Sequence, residues 1–267
     1  MDAGAVKHEL KQVVENDFTL KDGQDYFAFF EKYQYLIGHP DPELRDGLLY
    51  PVLFHFIVKN RITSEEVQRM MDVLTDEFHL FYKVGTKGDD SVLTRSFSAL
   101  LLAPVFYRLI QDDVMSSELA DRAADTLQNY ILQEEDFRAV INGKGWAHAS
   151  AHCADALHEL LLAPRLLLQK KKLLASGILR LLTVSAPYGH GEPDRLARAA
   201  AVLGESDYIL IERLLESLFE FAQQLGTEII EIRRKVNTNA FLYALFYRLS
   251  KAQNCEVLTK KIRSFLG

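Results

Sequence analysis

The sequence predicts an all-α protein of the α-α superhelix class, a HEAT-like solenoid of helical hairpins with about 12 to 13 helices. Three observations lead to this prediction. Apolar residues recur at three- and four-residue spacing along almost the whole chain. No segment alternates polar and apolar residues between Asn-Gly or Asp-Gly turns, so no strand is predicted. Similar segments also recur at an interval of about 50 residues.

The predicted helices begin where each helical apolar pattern starts. These starts lie near Val6, Gln24, Glu43, Ser64, Thr94, Ser117, Trp146, Arg165, Asp194, Asp207, Thr227, Thr238 and Lys251. Several starts offer a side-chain acceptor to an unpaired backbone N–H, as in TSEE at 63–66 and SSEL at 116–119. Pro104 is predicted to lie inside a helix and kink it, whereas Pro164 is predicted to begin the next helix.

The repeat is carried by four helix-opening segments, each with a polar head followed by an apolar run. Their matching positions are Arg45, Arg95, Gly145 and Arg195. A second register of about 60 residues is suggested by LLLAP, which occurs at 100–104 and at 160–164. We prefer the shorter interval because the polar loops then align as well.

The domain prediction follows from this register. A single hairpin cannot bury its apolar face, so neighbouring hairpins stack and share one core. We therefore predict one solenoid domain over residues 1–267, with cap helices at 1–40, helical-hairpin repeats at 41–205 and C-terminal helices at 206–267.

Composition narrows the class of protein. The hydrophobic share of 48% and the aromatic share of 10% suffice for an extended core. The formal charge is −6 and the densest basic run is QKKK at 169–172, so no nucleic-acid partner is expected. No uninterrupted apolar run approaches the roughly 18 residues of a membrane span, and no secretory signal layout is present. Only Cys153 and Cys255 occur, which implies no disulfide framework, and we expect a cytoplasmic protein with no membrane partner.

A candidate site is predicted where the polar loops lead into the repeated helices. In the chosen register the heads of these helices lie side by side along one rim. The candidate groove residues are Arg45, Asp46, Arg95, Ser96, Trp146, His148, His152 and Asp155. Arg95 either anchors a carboxylate of the rim or faces an anionic ligand. Trp146 either stacks on a ligand or fills the joint between repeats.

The histidines of GKGWAHASAHCAD, at 143–155, admit a metal hypothesis. On a helix, His148, His152 and Asp155 share one stripe, and histidines four residues apart can bind one zinc-like divalent ion. Asp155 lies about 10 Å along the helix from His148, so a third ligand must come from a neighbouring loop. The candidates are His190 and Glu192 in one loop, or Asp89 and Asp90 in another. The alternative is a buried polar network in which imidazoles bridge adjacent helices.

Several of these segments resemble a known bacterial family. They are RSFSALLL at 95–102, EEDFRAVINGKGWAHASAHCADAL at 134–157 and the Arg-Asp pair at 45–46. The most recognisable signature is carried by Gly145, Trp146, Ala147, His148, Ala151, His152, Ala154 and Asp155. The sequence resembles domain-of-unknown-function family 2785, from whose pattern Ala139 departs. The resemblance implies a helical-repeat fold and a bacterial, cytoplasmic origin, and it brings no established activity.

Two functions follow as hypotheses. The first is a non-enzymatic binding module whose groove holds a protein, a peptide or a small ligand, with contact residues Arg45, Arg95, Trp146, His148 and His152. The second is a metal-dependent hydrolase-like enzyme in which His148 and His152 hold the ion, while Asp155 or a carboxylate of a rim loop positions water. A homodimer through an exposed face of the solenoid is compatible with either hypothesis.

Overall fold

The computed structural model describes residues 2–267, and almost all regular structure in them is helical. The α-helices of this part are α1 Ala3–Glu15, α2 Tyr26–Tyr33, α3 Tyr50–Val58, α4 Ser64–Leu74, α5 Ser91–Gln111, α6 Ser117–Gln133, α7 Ala149–Leu161, α8 Leu168–Leu182, α9 Glu192–Ser206, α10 Tyr208–Gln223, α11 Ile229–Leu249 and α12 Glu256–Leu266. A 3₁₀ turn spans Gln34–Leu36, and a π-helical segment, Glu43–Leu49, runs directly into α3. The all-α prediction is confirmed.

Local capping signals set several helix starts as predicted. The Thr63 side chain accepts a hydrogen bond from the backbone N–H of Glu66, and the Glu66 side chain accepts one from the N–H of Thr63, which completes a capping box before α4. The Ser116 hydroxyl accepts a hydrogen bond from the N–H of Leu119 at the start of α6. These bonds satisfy backbone donors that the first helical turn leaves without partners.

Other predicted boundaries are wrong. The two helices expected from Thr227 and Thr238 form the single helix α11, because no glycine or proline interrupts the chain between its ends. Pro104 lies inside α5 as predicted. Pro164, in contrast, lies in a turn, and α8 begins only at Leu168.

One short hairpin contradicts the prediction that the chain contains no strand. Strand β1, Val140–Ile141, pairs antiparallel with β2, Gly145–Trp146. Asn142 and Gly143 stand at the turn, a sequence pair that favours hairpins. Periodicity does not reveal these strands because each has only two residues, too few to show alternation.

Contacts divide the chain into two compact units. Unit 1 contains the residues up to Met115 together with Glu134–Ala149, and unit 2 contains Ser116–Gln133 together with Ser150–Gly267. The segment that carries the hairpin therefore belongs to unit 1 although it follows α6 in the chain. The single solenoid domain, with its divisions at residues 40 and 205, stays a prediction.

Helix α5 is the centre of unit 1. It packs against α3 and α4, while α1 packs against the π-helical segment. In residues 2–267, α5 is the one helix whose length and composition suit a membrane span, with a mean hydropathy of 1.3 over its most apolar window. Of that window 78% is buried inside the fold, as in the core helix of a soluble protein. Polar residues interrupt α5, so it contains no uninterrupted apolar run long enough to predict a membrane span from the sequence.

In unit 2 the helices pack mainly on their second neighbours. Helix α6 packs on α8, α8 on α10, α9 on α11 and α10 on α12. Consecutive pairs such as α9 and α10 are also in contact. Helical hairpins that stack as layers produce this pattern of contacts.

Hydrogen bonds within each unit support the predicted interval. In unit 1, Arg108 donates to the carbonyl of Ile57, 51 residues away, at 2.9 Å. In unit 2, the Tyr188 N–H donates to Asn237 Oδ1, 49 residues away, at 3.0 Å. The Ser117 hydroxyl donates to the carbonyl of Arg165, 48 residues away. The HEAT-like solenoid itself stays a prediction.

Gly38 provides a test of the packing on α5. A Cβ at this position would lie 2.0 Å from Thr94 Oγ1 and 2.5 Å from Thr94 Cα, so the backbones must separate to admit it. We expect Gly38→Ala to lower the free energy of unfolding by about 2 to 3 kcal/mol, measured by urea denaturation.

Gly47→Ala is the matched control. Gly47 is exposed, and a methyl group added there would have the Pro42 carbonyl as its nearest neighbour at 3.9 Å, an ordinary contact. The substitution should leave stability unchanged or raise it slightly. Equal effects of the two substitutions would show that Gly38 is not required by packing.

Candidate functional site

The hairpin positions two residues of the predicted site, Trp146 and His148. Gly143 and Gly145 supply left-handed backbone, with φ of 73° and 74°. At Gly145 a Cβ would also approach Pro42 Cβ to 3.0 Å, tighter than ordinary van der Waals contact. The glycine at this position is therefore required both by its backbone angle and by the close approach of Pro42.

Arg45 fastens the hairpin to the body of unit 1. Its side chain is fully buried, and Nη2 donates to the carbonyls of Lys144 at 2.6 Å and Trp146 at 3.1 Å. Nη1 donates to the carbonyl of His39 at 2.6 Å, and the guanidinium lies 4.7 Å from the centre of the Phe97 ring. Burial lowers the pKa of Arg45. The π-helical segment positions the Arg45 side chain against the hairpin. The two hydrogen bonds from Nη2 hold the carbonyls that precede and end β2.

Arg95 makes a second buried attachment. Nε and Nη2 donate to the two carboxylate oxygens of Glu134 at 2.6 and 2.9 Å, and both side chains are at most 1% exposed. Nη1 donates to Ser91 Oγ and the Tyr82 carbonyl, and Nη2 also donates to the carbonyl of Thr86. The bidentate pair joins the loop before α5 to the segment that follows α6.

A second acidic residue of this segment was missed by the sequence interpretation. Asp136 is buried and accepts hydrogen bonds from Arg138, among them one at 2.8 Å from Nε and one at 2.6 Å from Nη2, and a further one from the N–H of Gly88 at 2.9 Å. Burial alone raises the pKa of Asp136, but these donors outweigh it and the pKa is lowered. The available signal was the acidic run 134–136 that directly follows α6, in which Glu134 pairs with the buried Arg95 and Asp136 with the partly exposed Arg138.

Trp146 and His148 form a stacked pair beside Asp46. Their ring centres are 4.7 Å apart and the planes differ by 17°, while 39% of the Trp146 surface remains exposed. His148 is buried and has a φ of 55°, an uncommon angle for a residue other than glycine. Its backbone N–H donates to the carbonyl of Arg138 at 3.1 Å. Burial raises the pKa of the Asp46 carboxyl, while the charges of Arg45 and His148 act in the opposite direction.

Unit 1 contains most of the predicted groove residues. They are Arg45, Asp46, Arg95, Ser96, Trp146 and His148. Ser96, predicted at a helix head, instead lies inside α5 with its hydroxyl donating to the carbonyl of Ala147. Ser96 and the two arginines are fully buried, so they do not line an open groove as expected. Trp146 and Asp46 retain contact with solvent.

The predicted histidine stripe is wrong for His148. Helix α7 begins at Ala149, and the left-handed backbone of His148 lies before it, so helical spacing does not relate His148 to His152. His152 is buried within α7, and His190 is exposed in the loop before α9. Across residues 2–267, no three or more His, Cys, Asp or Glu side chains form a group that could hold a metal ion.

Three ion pairs connect α7, α9 and α11 within unit 2. They join Asp155 to Arg195 at 2.6 Å, Glu159 to Arg198 at 3.0 Å and Asp194 to Arg248 at 2.7 Å. Beside them, His158 Nδ1 lies 3.3 Å from the Arg198 carbonyl. Burial, and then the positive charge of Arg198, lower the pKa of His158 to about 4. Asp155 therefore serves as a partner of Arg195.

The fold and these contacts define an all-α protein whose buried polar side chains mostly fasten its own segments together. The sequence profile of the family described as "Protein of unknown function (DUF2785)" matches residues 80–251, more than half of the chain, and the chain belongs to this family. The resemblance in the sequence is thus confirmed. The match includes Arg95 and the hairpin and stops short of Arg45. No curated protein and no solved structure matches the chain.

The buried pair of Arg95 and Glu134 should govern the stability of unit 1. Arg95→Lys retains the charge but loses the bidentate geometry, and it should lower the free energy of unfolding by about 3 kcal/mol or more. Arg198→Lys is the matched control, because the pair of Arg198 with Glu159 is partly exposed and should change stability by at most about 1 kcal/mol. Urea denaturation measures both, and similar small effects would contradict this role of Arg95.

His158 should make stability depend on pH. Its pKa is about 4 in the folded chain against an ordinary 6.5, so below pH 6.5 the unfolded chain takes up a proton that the folded chain excludes. Stability should therefore fall as the pH drops from about 6.5 to about 4, by about 1 to 2 kcal/mol once the partial solvent contact of the ring is allowed for.

His158→Gln removes this titration and keeps a donor for the Arg198 carbonyl. The difference in melting temperature between wild type and variant should change over this pH range. If the difference between the two melting temperatures were the same at pH 7 and at pH 4, the fold would not oppose protonation of His158, and the prediction would be wrong.

Proposed function

We propose that the chain is a binding module whose contact surface in unit 1 consists of Trp146 and Asp46, with the buried His148 stacked on the indole and holding it in place. The observation that carries this proposal is the exposed indole of Trp146, stacked on a buried imidazole at the end of a firmly attached hairpin. Aromatic side chains of this kind provide a large contact area at a small loss of conformational entropy.

The rigidity of the hairpin supports the proposal. Arg45 holds the carbonyls on either side of Gly145, and the Ser96 hydroxyl holds that of Ala147. The N–H of Ala147 donates in turn to the carbonyl of Ala139 at 2.9 Å. Burying a charged guanidinium costs free energy, and a left-handed backbone at His148 adds strain. A surface that is held in its binding geometry loses less freedom when a ligand binds.

The chemistry of the two solvent-accessible side chains restricts the ligand. The indole face accepts a planar or apolar group by stacking. The half-buried Asp46 carboxyl offers acceptor oxygens next to it. A ligand that matches both features has a planar group and carries an N–H or O–H donor, as do an aromatic side chain of a peptide and many small ring compounds. The metal-dependent hydrolase is not proposed further, because no suitable group of ligands occurs within residues 2–267.

The test is ligand-observed NMR with indole, phenol, benzamide and adenine as planar donor probes and cyclohexanol as a non-planar probe. We expect saturable binding of at least one planar probe to the wild type and a loss of at least about tenfold in affinity in Trp146→Leu. Trp146 is the only tryptophan of the chain, so quenching of the intrinsic fluorescence reports on the same surface.

Tyr35→Leu is the matched control. Tyr35 is also exposed, in the same unit, and also stacks on a buried histidine, His79. Its loss should leave binding and fluorescence quenching unchanged. The proposal fails if no planar probe binds, or if both variants reduce binding equally while their melting temperatures match that of the wild type.

A further inference from the structure

The first two turns of α11 carry an exposed apolar stripe. Ile229, Ile232 and Val236 are 62%, 44% and 56% exposed, and the first buried residue of the helix is Asn237. Their spacing of three and then four residues places them on one side of the helix. We call these three residues the α11 stripe. Scattered exposed apolar residues are ordinary, but an aligned group that a helix leaves exposed indicates a contact surface.

The residue types of the stripe strengthen this interpretation. All three side chains are β-branched, which lowers helix propensity, so local preference alone does not favour them at exposed helical positions. The turn is stabilised instead by a capping box between Glu228 and Glu231. Helices usually gain most of their stability by packing an apolar face, whereas this face remains largely exposed to solvent.

The charges beside the stripe point to its occupant. Glu228, the N-cap of α11, precedes the stripe, and Lys235 lies seven residues further on, on the same flank of the helix. Lys235 Nζ donates one hydrogen bond to the Gly226 carbonyl at 2.9 Å, and an ammonium group has two further donors for a partner. Two antiparallel copies of this segment, related by a two-fold axis at Ile232, bring Glu228 of each copy within one residue, about 1.5 Å along the helix, of Lys235 of the other. Parallel copies would instead place like charges together.

The apolar layers follow the same symmetry. With the axis at Ile232, the two Ile232 side chains meet, and Ile229 of each copy lies within one residue, about 1.5 Å along the helix, of Val236 of the other. The stripe is thus complementary to itself in its apolar layers, and the flank that carries Glu228 and Lys235 is complementary to itself in charge. We propose that α11 is a dimerisation surface on which a second copy of this chain packs antiparallel across the α11 stripe.

Sedimentation velocity of the full chain tests this proposal. Because the seam is short, we expect a reversible monomer–dimer equilibrium over about 5 to about 500 µM. Ile232→Asp places two carboxylates at the axis and should raise the dissociation constant at least about tenfold. Val257→Asp is the matched control, since Val257 is 53% exposed on another helix of unit 2 and should leave the equilibrium unchanged.

A charge exchange tests the antiparallel arrangement. Glu228→Lys and Lys235→Glu should each weaken association, because like charges then face each other across the seam. The double variant restores opposite charges and should dimerise better than either single variant. Loss of the Glu228 cap cannot explain such a recovery, since the double variant lacks it as well, and thermal melting of every variant controls for folding.

Three results would overturn the proposal. One is a monomer throughout the concentration range, and another is a dimer that Ile232→Asp leaves intact. The third is a double charge variant no better than its parents.

Discussion

The burial of Arg95 is the constraint on which unit 1 depends. A guanidinium removed from water is tolerated only when its donors meet acceptors in good geometry, and Glu134 supplies two of them in a bidentate pair. The Arg95 guanidinium also donates hydrogen bonds to backbone carbonyls of the loop before α5. The position of the segment that bears the hairpin is therefore determined by an electrostatic requirement as well as by packing.

Arg45 extends this arrangement to the surface. Arg95 joins two segments through a carboxylate, whereas Arg45 donates hydrogen bonds to three backbone carbonyls. Because Arg45 binds only the backbone of β2, the hairpin backbone determines the direction of the β2 side chains. The indole of Trp146 therefore projects from a backbone segment that the buried Arg45 holds in place. Buried polar groups are costly, and here they determine where an exposed aromatic group lies.

Periodic apolar spacing was sufficient to predict the helices, since α4, α6 and α9 each place a regular apolar face against a neighbour. The hairpin could not be predicted in this way, because its two-residue strands are defined by Gly143 and Gly145 and by the pairing of β1 with β2. The candidate site stays a prediction, but its description as an open groove is wrong for Arg45, Arg95 and Ser96, which are fully buried. The sequence shows that Arg45, Arg95 and Ser96 are polar, but burial depends on which distant acceptors reach them. The missed Glu134 and Asp136 illustrate the same limit, since their importance comes from pairing across the fold.

The pairing of Arg95 with Glu134 also has a consequence for synthesis of the chain on the ribosome. The carboxylate is added 39 residues after the arginine, which at about 5 to 20 residues per second corresponds to an interval of seconds. Throughout this interval α5 already exists as an apolar segment, while the partner that neutralises its arginine has not yet been translated. Closure of unit 1 must therefore wait for the segment after α6, and the nascent chain exposes α5 to chaperones or to aggregation for that time.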